Sequence, residues 1–146
     1  MLHFGGADVR AALEGLAAED GSPHDGIIME FTNPVTGGPA FPTLAYRAQL
    51  LRPGEVTLEY RHTASTLYTV LAGSGSTEVA GTRLEWEPFD IFAIPNHLWR
   101  RHVNGDKDQP AILYSVNDAP LLQKIGQYGE QGRTSDGRVV ELGGDD

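Results

Sequence analysis

Short apolar runs separated by turn residues dominate the chain from Gly26 to Ser115. The runs are TLAYRAQLL, VTLEYRH, LYTVLA, STEVA, TRLEW, DIFAIP, RRHV and AILYSV. The breaks fall at Arg52-Pro53-Gly54, Gly73-Ser74-Gly75, Ala80-Gly81, Glu87-Pro88, Pro95-Asn96 and Asn104-Gly105-Asp106. β-rich segments at such near-regular spacing predict an all-β sandwich or barrel rather than βαβ units. Pro and Gly stand between the runs, where no ladder needs their N–H or side chain. Closing the sheet on itself removes exposed edges.

The period changes on either side of this block. In ADVRAALEGLAAED, Val9, Leu13 and Leu16 recur at helical spacing, Asp8 is placed to cap, and Gly21 follows as a stop. This predicts one short amphipathic helix with its stripe against the core. After Ser115, DAPLLQKIGQYG predicts a second short helix with Leu121, Leu122 and Ile125 inward. From about Glu130 the chain is polar and Gly-rich and is expected to be loose, with RVVEL as a candidate edge strand. The expected division is a helix and linker over 1–25, one barrel with a helical turn over 26–128, and a polar tail over 129–146.

A chain of 146 residues supplies one domain with its own core. No apolar run approaches the roughly 20 residues of a membrane span, and no membrane partner is expected. The N-terminus lacks a charged-then-apolar leader, so the cytoplasm is the expected compartment. With no cysteine, disulfide and thiolate chemistry are excluded. A net charge of −9, with Arg100-Arg101 as the only adjacent basic pair, disfavours a nucleic-acid partner. Gly73, Gly75 and Gly81 lack the strand–loop–helix context of a phosphate loop and suit hairpin turns. No Ser-His-Asp order or nucleophile elbow is recognisable.

Two runs resemble the paired signatures of the cupins. The first has the form G-x5-H-x-H-x3-E-x6-G; Gly54 opens it, Gly73 closes it, and its ligand positions fall on Tyr60, His62 and Thr66. The second is DIFAIPNHLWRRHVN, from Asp90 to Asn104, in which a ligating histidine is expected five residues after Pro95 and Arg100 stands there. Between about Ile27 and Tyr128 the chain resembles the C-terminal half of gentisate 1,2-dioxygenases and their salicylate and hydroxynaphthoate relatives. The stretches that carry this are FTNPVTGGPAFPTLAYRAQLLRPGE, RHTASTLYTVLAGSGSTEVAG, WEPFDIFAIPNHLWRRHVN and SVNDAPLL. The resemblance implies a cupin jelly-roll barrel with a short N-terminal helix, together with Fe(II), oxygen and cleavage of a hydroxylated aromatic acid. It also implies a bicupin, in which the ring-cleaving iron belongs to an N-terminal barrel outside this stretch. Family members commonly read HRHT and WHEH where this chain has Tyr60-Arg61-His62-Thr63 and Trp99-Arg100-Arg101-His102.

A guanidinium stays protonated and has no lone pair for a metal. Strand alternation puts Arg100 on the same face as His102, so its charge would repel an ion held by His62 and His102, the two weak metal candidates. No metal cofactor is therefore expected, and Fe(II) belongs to the alternative reading of an active dioxygenase. Arg100 instead suits a bidentate grip on a carboxylate. Tyr60, His62, Tyr68 and His102 would add polar contacts, and Phe92 and Trp99 apolar surface. Against this stands a role at the barrel mouth, or an ion pair with Glu59 or Glu85. His3, His24 and His97 lie outside the runs or in a turn and are expected at the surface. Trp86 and Trp99 are read chiefly as core or interface, Asp90 as a turn cap, and Asn33–Pro39 as a rigid packing loop.

Three functions remain open on this reading. The chain is a binder of a small aromatic or carboxylate ligand or a non-catalytic partner of a catalytic cupin, an iron-dependent dioxygenase, or a metal-free acid–base enzyme using His62, His102 and Tyr60. A homodimer is expected from the family.

Overall fold

A computed structural model describes residues 3–142. Helix α1 (Gly6–Gly15) leads into β1 (Ile27–Glu30), β2 (Ala45–Leu51), β3 (Tyr60–His62), β4 (Thr66–Ala72), β5 (Gly75–Val79) and β6 (Thr82–Trp86). There follow β7 (Ile91–Ile94), β8 (Arg100–Asn104), β9 (Ala111–Asn117), α2 (Ala119–Lys124), β10 (Glu130–Arg133) and β11 (Val139–Leu142). One sheet runs β1-β2-β9-β4-β7 and the other β11-β10-β3-β8-β5-β6, with every pairing antiparallel. This is the expected cupin jelly roll. Among the described residues, no helix is long and apolar enough to cross a membrane.

The apolar positions sort into two cores. Inside the barrel, Leu51, Tyr68, Val70, Trp86, Ile94, Ala111 and Leu113 pack together. Outside it, α1 lays Val9 and Leu13 on Ile27, Ala48, Leu50 and Ile112 of the five-stranded sheet and on Phe31 just beyond β1. Burying each such side chain contributes about 1.5–3 kcal/mol. Asn104 closes one end: its Nδ2 lies within 3.2 Å of the carbonyl oxygens of Leu51, Arg52 and Gln109, while its Oδ1 accepts from Asp106 N–H. Gly75 is required by a close approach, because a Cβ there would collide with the Val103 carbonyl oxygen.

Several local expectations are corrected. The first helix stops at Gly15, Asp8 sits inside its first turn without capping it, and Leu16 is exposed at the C-cap. β1 was not marked by any alternating run; it forms because Ile27 and Met29 share a face with Leu50 and Ala48 across the ladder. The run VTLEYRH yields only β3 and a bridge from Val56 to Val103. Between them the backbone turns elsewhere: Leu58 N–H donates to Pro23, and the Glu59 carbonyl accepts from Arg133 N–H. In α2 the buried residues are Ala119 and Pro120, whereas Leu121 and Ile125 face outward. The segment expected to be loose from Glu130 instead pairs as β10 along β3, and the RVVEL strand adds to it as β11. His24 is buried rather than superficial, its Nε2 3.0 Å from the Arg133 carbonyl oxygen. His3 and His97 are exposed.

Candidate functional site

Antiparallel pairing sets Tyr60 opposite Arg100 and Thr77 opposite His102. Alternation then turns Tyr60 and His62 of β3, Thr66 and Tyr68 of β4, and Arg100 and His102 of β8 inward. Five of the six candidate residues, Tyr60, His62, Tyr68, Arg100 and His102, thus meet in one buried cluster. The sixth, Phe92, is half-buried beside it and stacks on Tyr68 with ring centres 5.0 Å apart.

Arg100 is 0 % exposed, the largest of the fully buried side chains. Its Cζ lies 5.3 Å from the centre of the Tyr60 ring, and Nη1 donates to Thr66 Oγ1 at 3.4 Å. Nε and Nη2 have no hydrogen-bond partner. Neither a place at the barrel mouth nor an ion pair with Glu59 or Glu85 holds: Glu59 meets Arg133 and Glu85 meets Arg83. Among the described residues no acidic side chain pairs with Arg100. A charge buried in this way carries an uncompensated desolvation cost of several kcal/mol.

The two histidines are tied from outside the runs that name them. His62 Nδ1 accepts the Ala64 N–H at 3.1 Å, so the neutral ring carries its proton on Nε2, which faces Thr66 Oγ1 at 3.4 Å. His102 Nδ1 lies 2.9 Å from Thr77 Oγ1, which also accepts from Trp86 Nε1 at 3.0 Å. His102 Nε2 is buried without a partner, and its ring stands edge-on to Tyr68 at 5.1 Å. Burial, and then the charge of Arg100, lowers both imidazoles to about 3, so both are neutral at pH 7. Burial likewise pushes the Tyr60 hydroxyl well above its ordinary range; it lies 3.4 Å from the Tyr68 hydroxyl. Neither an imidazolium acid nor a phenolate base is present near neutrality.

Divalent iron fits these donors poorly. It requires about three ligands with free lone pairs. His62 presents a protonated Nε2, His102 offers one nitrogen, and Arg100 places a cation between the strands that would supply the rest. Among the described residues no group of three or more His, Asp or Glu side chains converges to hold a metal.

Trp99 does not face the interior. It lies on the outer side of its sheet, with the guanidinium carbons of Arg61 and Arg133 4.5 and 4.2 Å from its ring centre. Trp86 is core, as expected, and Asp90 caps its turn through Glu87 N–H. Sequence reasoning missed Thr77, Trp86 Nε1–H and Ala64 N–H as the groups that orient the histidines. The inward alternation of Thr77 on β5 was the available signal for the first.

Residues 48–117 match the family described as the cupin domain, and a cupin domain is thus present over that stretch. Over 139 residues the chain is 45% identical to 5-aminosalicylate 1,2-dioxygenase of Comamonas sp., covering 94% of this chain and 37% of that protein. It is 41% identical over 113 residues to a gentisate 1,2-dioxygenase of Haloferax sp., covering 77% of this chain and 30% of that protein. The salicylate 1,2-dioxygenase structure from Pseudaminobacter salicylatoxidans superposes with a TM-score of 0.78 at 24% identity, covering 88% of this chain and 38% of that one. The chain therefore spans less than two fifths of the length of these relatives.

Proposed function

We propose that this barrel is a metal-free cupin related to the second barrel of gentisate-type dioxygenases, serving as the non-catalytic companion of a catalytic barrel. The observation that carries the reading is Arg100, buried to 0 % exposure among Tyr60, His62, Thr66 and His102. A fixed cation occupies the position where the related signature has a histidine ligand. The protonated Nε2 of His62 supports the same reading, because a ligand must offer a lone pair there. Ring cleavage, with its iron and oxygen, is then assigned to the companion barrel.

A second reading rests on Arg100 Nε and Nη2, which lack partners. These two donors suit one carboxylate, so a small aromatic acid is the favoured ligand class. Its entry requires the side chains packed around Arg100 to part.

One set of measurements tests both. The purified chain is reconstituted anaerobically with ferrous iron, desalted, and assayed for bound iron and for ring-fission product from gentisate and salicylate. Negligible iron and no product are expected; near-stoichiometric iron would falsify the metal-free reading and restore the dioxygenase alternative. Titration with salicylate, with and without Arg100→Met, decides the second reading, which fails if affinity is the same in both proteins.

A further inference from the structure

On β5 the register sets Thr77 opposite His102 and facing the interior, so Ser76, opposite Val103 and Glu85, faces out. Ser76 is nevertheless only 2% exposed. It lies in the wall of a groove of about 440 Å³ formed by β5, β6 and the turn that follows β6. That volume lies within the range of small-molecule sites. The Ser76 hydroxyl lines the groove and makes no hydrogen bond among the described residues. A polar group enclosed to this degree ordinarily has a partner.

The charges around it are mostly of one sign. Glu85, Glu87 and Asp90 bring three carboxylates against the one guanidinium of Arg83. Arg83 is held by Glu85 at 3.5 Å. Asp90 turns Oδ2 to the Glu87 N–H at 3.0 Å. No basic side chain pairs with Glu87 or Asp90 among the described residues. Two negative charges and the Ser76 oxygen are thus left without donors from the chain. A concave site concentrates the field of like charges, and the net −9 of the chain adds to it. The rest of the lining is largely apolar. It includes Val103 and the edge of the Trp86 ring, against which a Cβ at Gly75 would press.

We propose that this groove binds a small organic dication, an α,ω-diamine with a short methylene stem. An ammonium group carries three N–H donors and no acceptor. It therefore supplies what the carboxylates of Glu87 and Asp90 and the Ser76 oxygen lack. Two amino groups match the two uncompensated charges, whereas a single amine leaves one carboxylate unpaired. The stem finds apolar contact along Val103 and Trp86. The same charges repel an anion. A metal ion of equal charge is the poorer fit. It requires several converging oxygen ligands, and no group of three His, Asp or Glu side chains converges to hold one among the described residues. The groove lies on the outside of the barrel, so this binding does not depend on the metal-free reading of the interior.

Calorimetric titration of the full chain with 1,4-diaminobutane at low salt, where screening is weak, tests it. Saturable binding at one site per chain is expected. Glu87→Gln and Asp90→Asn should each weaken it about 10-fold, the loss of one charge-assisted contact. Asp90→Asn keeps an oxygen for the Glu87 N–H. Ser76→Ala should weaken binding about fivefold, and 1-aminobutane should bind about 10-fold more weakly than the diamine. Amide chemical shifts of the unsubstituted chain supply a readout that needs no variant: Ser76, Glu87 and Val103 should move on titration. No saturable binding, equal affinity for the monoamine, an affinity unchanged in both charge variants, shifts confined to other strands, or tighter binding of calcium than of the diamine would each overturn the proposal.

Discussion

On β4, Val70 lies opposite Leu113 and packs with Leu51 and Ala111; four residues earlier, Thr66 meets Arg100 and His62. The same strands thus build two halves of one interior. In the apolar half, the aliphatic side chains gain from leaving water and pack closely, and the Trp86 N–H keeps a partner in Thr77. In the other half, a guanidinium and an imidazole nitrogen leave water without full replacement of their hydrogen bonds. Those unpartnered groups are a cost in the folded chain that the apolar half does not carry. A fold that tolerates such a cluster is one whose second core, beneath α1, carries a share of the stabilisation.

The largest expected effect that separates the halves is acid sensitivity. His62 and His102 fall from an ordinary 6.5 to about 3 on folding, through burial and then Arg100. Between those values the unfolded chain binds more protons than the native one, so stability is full above about pH 6.5 and is lost as pH falls toward 3. With both sites the slope approaches about 2.7 kcal/mol per pH unit, enough to unfold a domain of ordinary stability well above pH 3. Asp25, whose carboxyl burial pushes up, acts in the opposite sense. Urea denaturation at a series of pH values checks the slope, and His102→Gln should remove about half of it. A profile flat from pH 7 to 4 would mean the cluster is wet.

Next comes the apolar half. Leu113→Ala should cost about 2–5 kcal/mol, read from the urea midpoint at neutral pH. A cost below about 1 kcal/mol would show that this half is not the close-packed one. The smallest effect has the opposite sign. Arg100→Met replaces a buried unpaired charge with an apolar chain of similar reach and should stabilise the protein by about 1–4 kcal/mol. Destabilisation by that variant would mean that the guanidinium has a partner in solution, and the distinction between the halves would shrink accordingly.

The sequence made the architecture legible wherever alternation was strong. The run that became β8 put Arg100 and His102 on the one inward face where they are found, and the run that became β4 supplied Tyr68 beside them. It was silent on β1, because Ile27-Ile28-Met29 does not alternate, and on β10, because Glu130–Arg133 is polar and owes its conformation to the register with β3. For the site, residue types and faces were legible, whereas hydrogen-bond partners were not. Thr77 reaches His102 across 25 positions of chain, and no local pattern reports a contact of that kind. The outward turn of Leu121 and Ile125 was equally hidden, since so short a helix is positioned by its attachment at Asn117–Ala119 rather than by its stripe.

Asn104 ties the end of β8 to Leu51 and Arg52, more than fifty positions earlier, and to Gln109 just before β9. In kinetic terms it is a latch of high contact order. It closes a loop of more than fifty residues, and a bond that waits on so large a loop is expected to form on the late side of the folding barrier. Interactions made that late leave the folding rate nearly untouched and instead slow unfolding. On that expectation Asn104→Ala speeds unfolding more than it slows folding, which paired unfolding and refolding rates check.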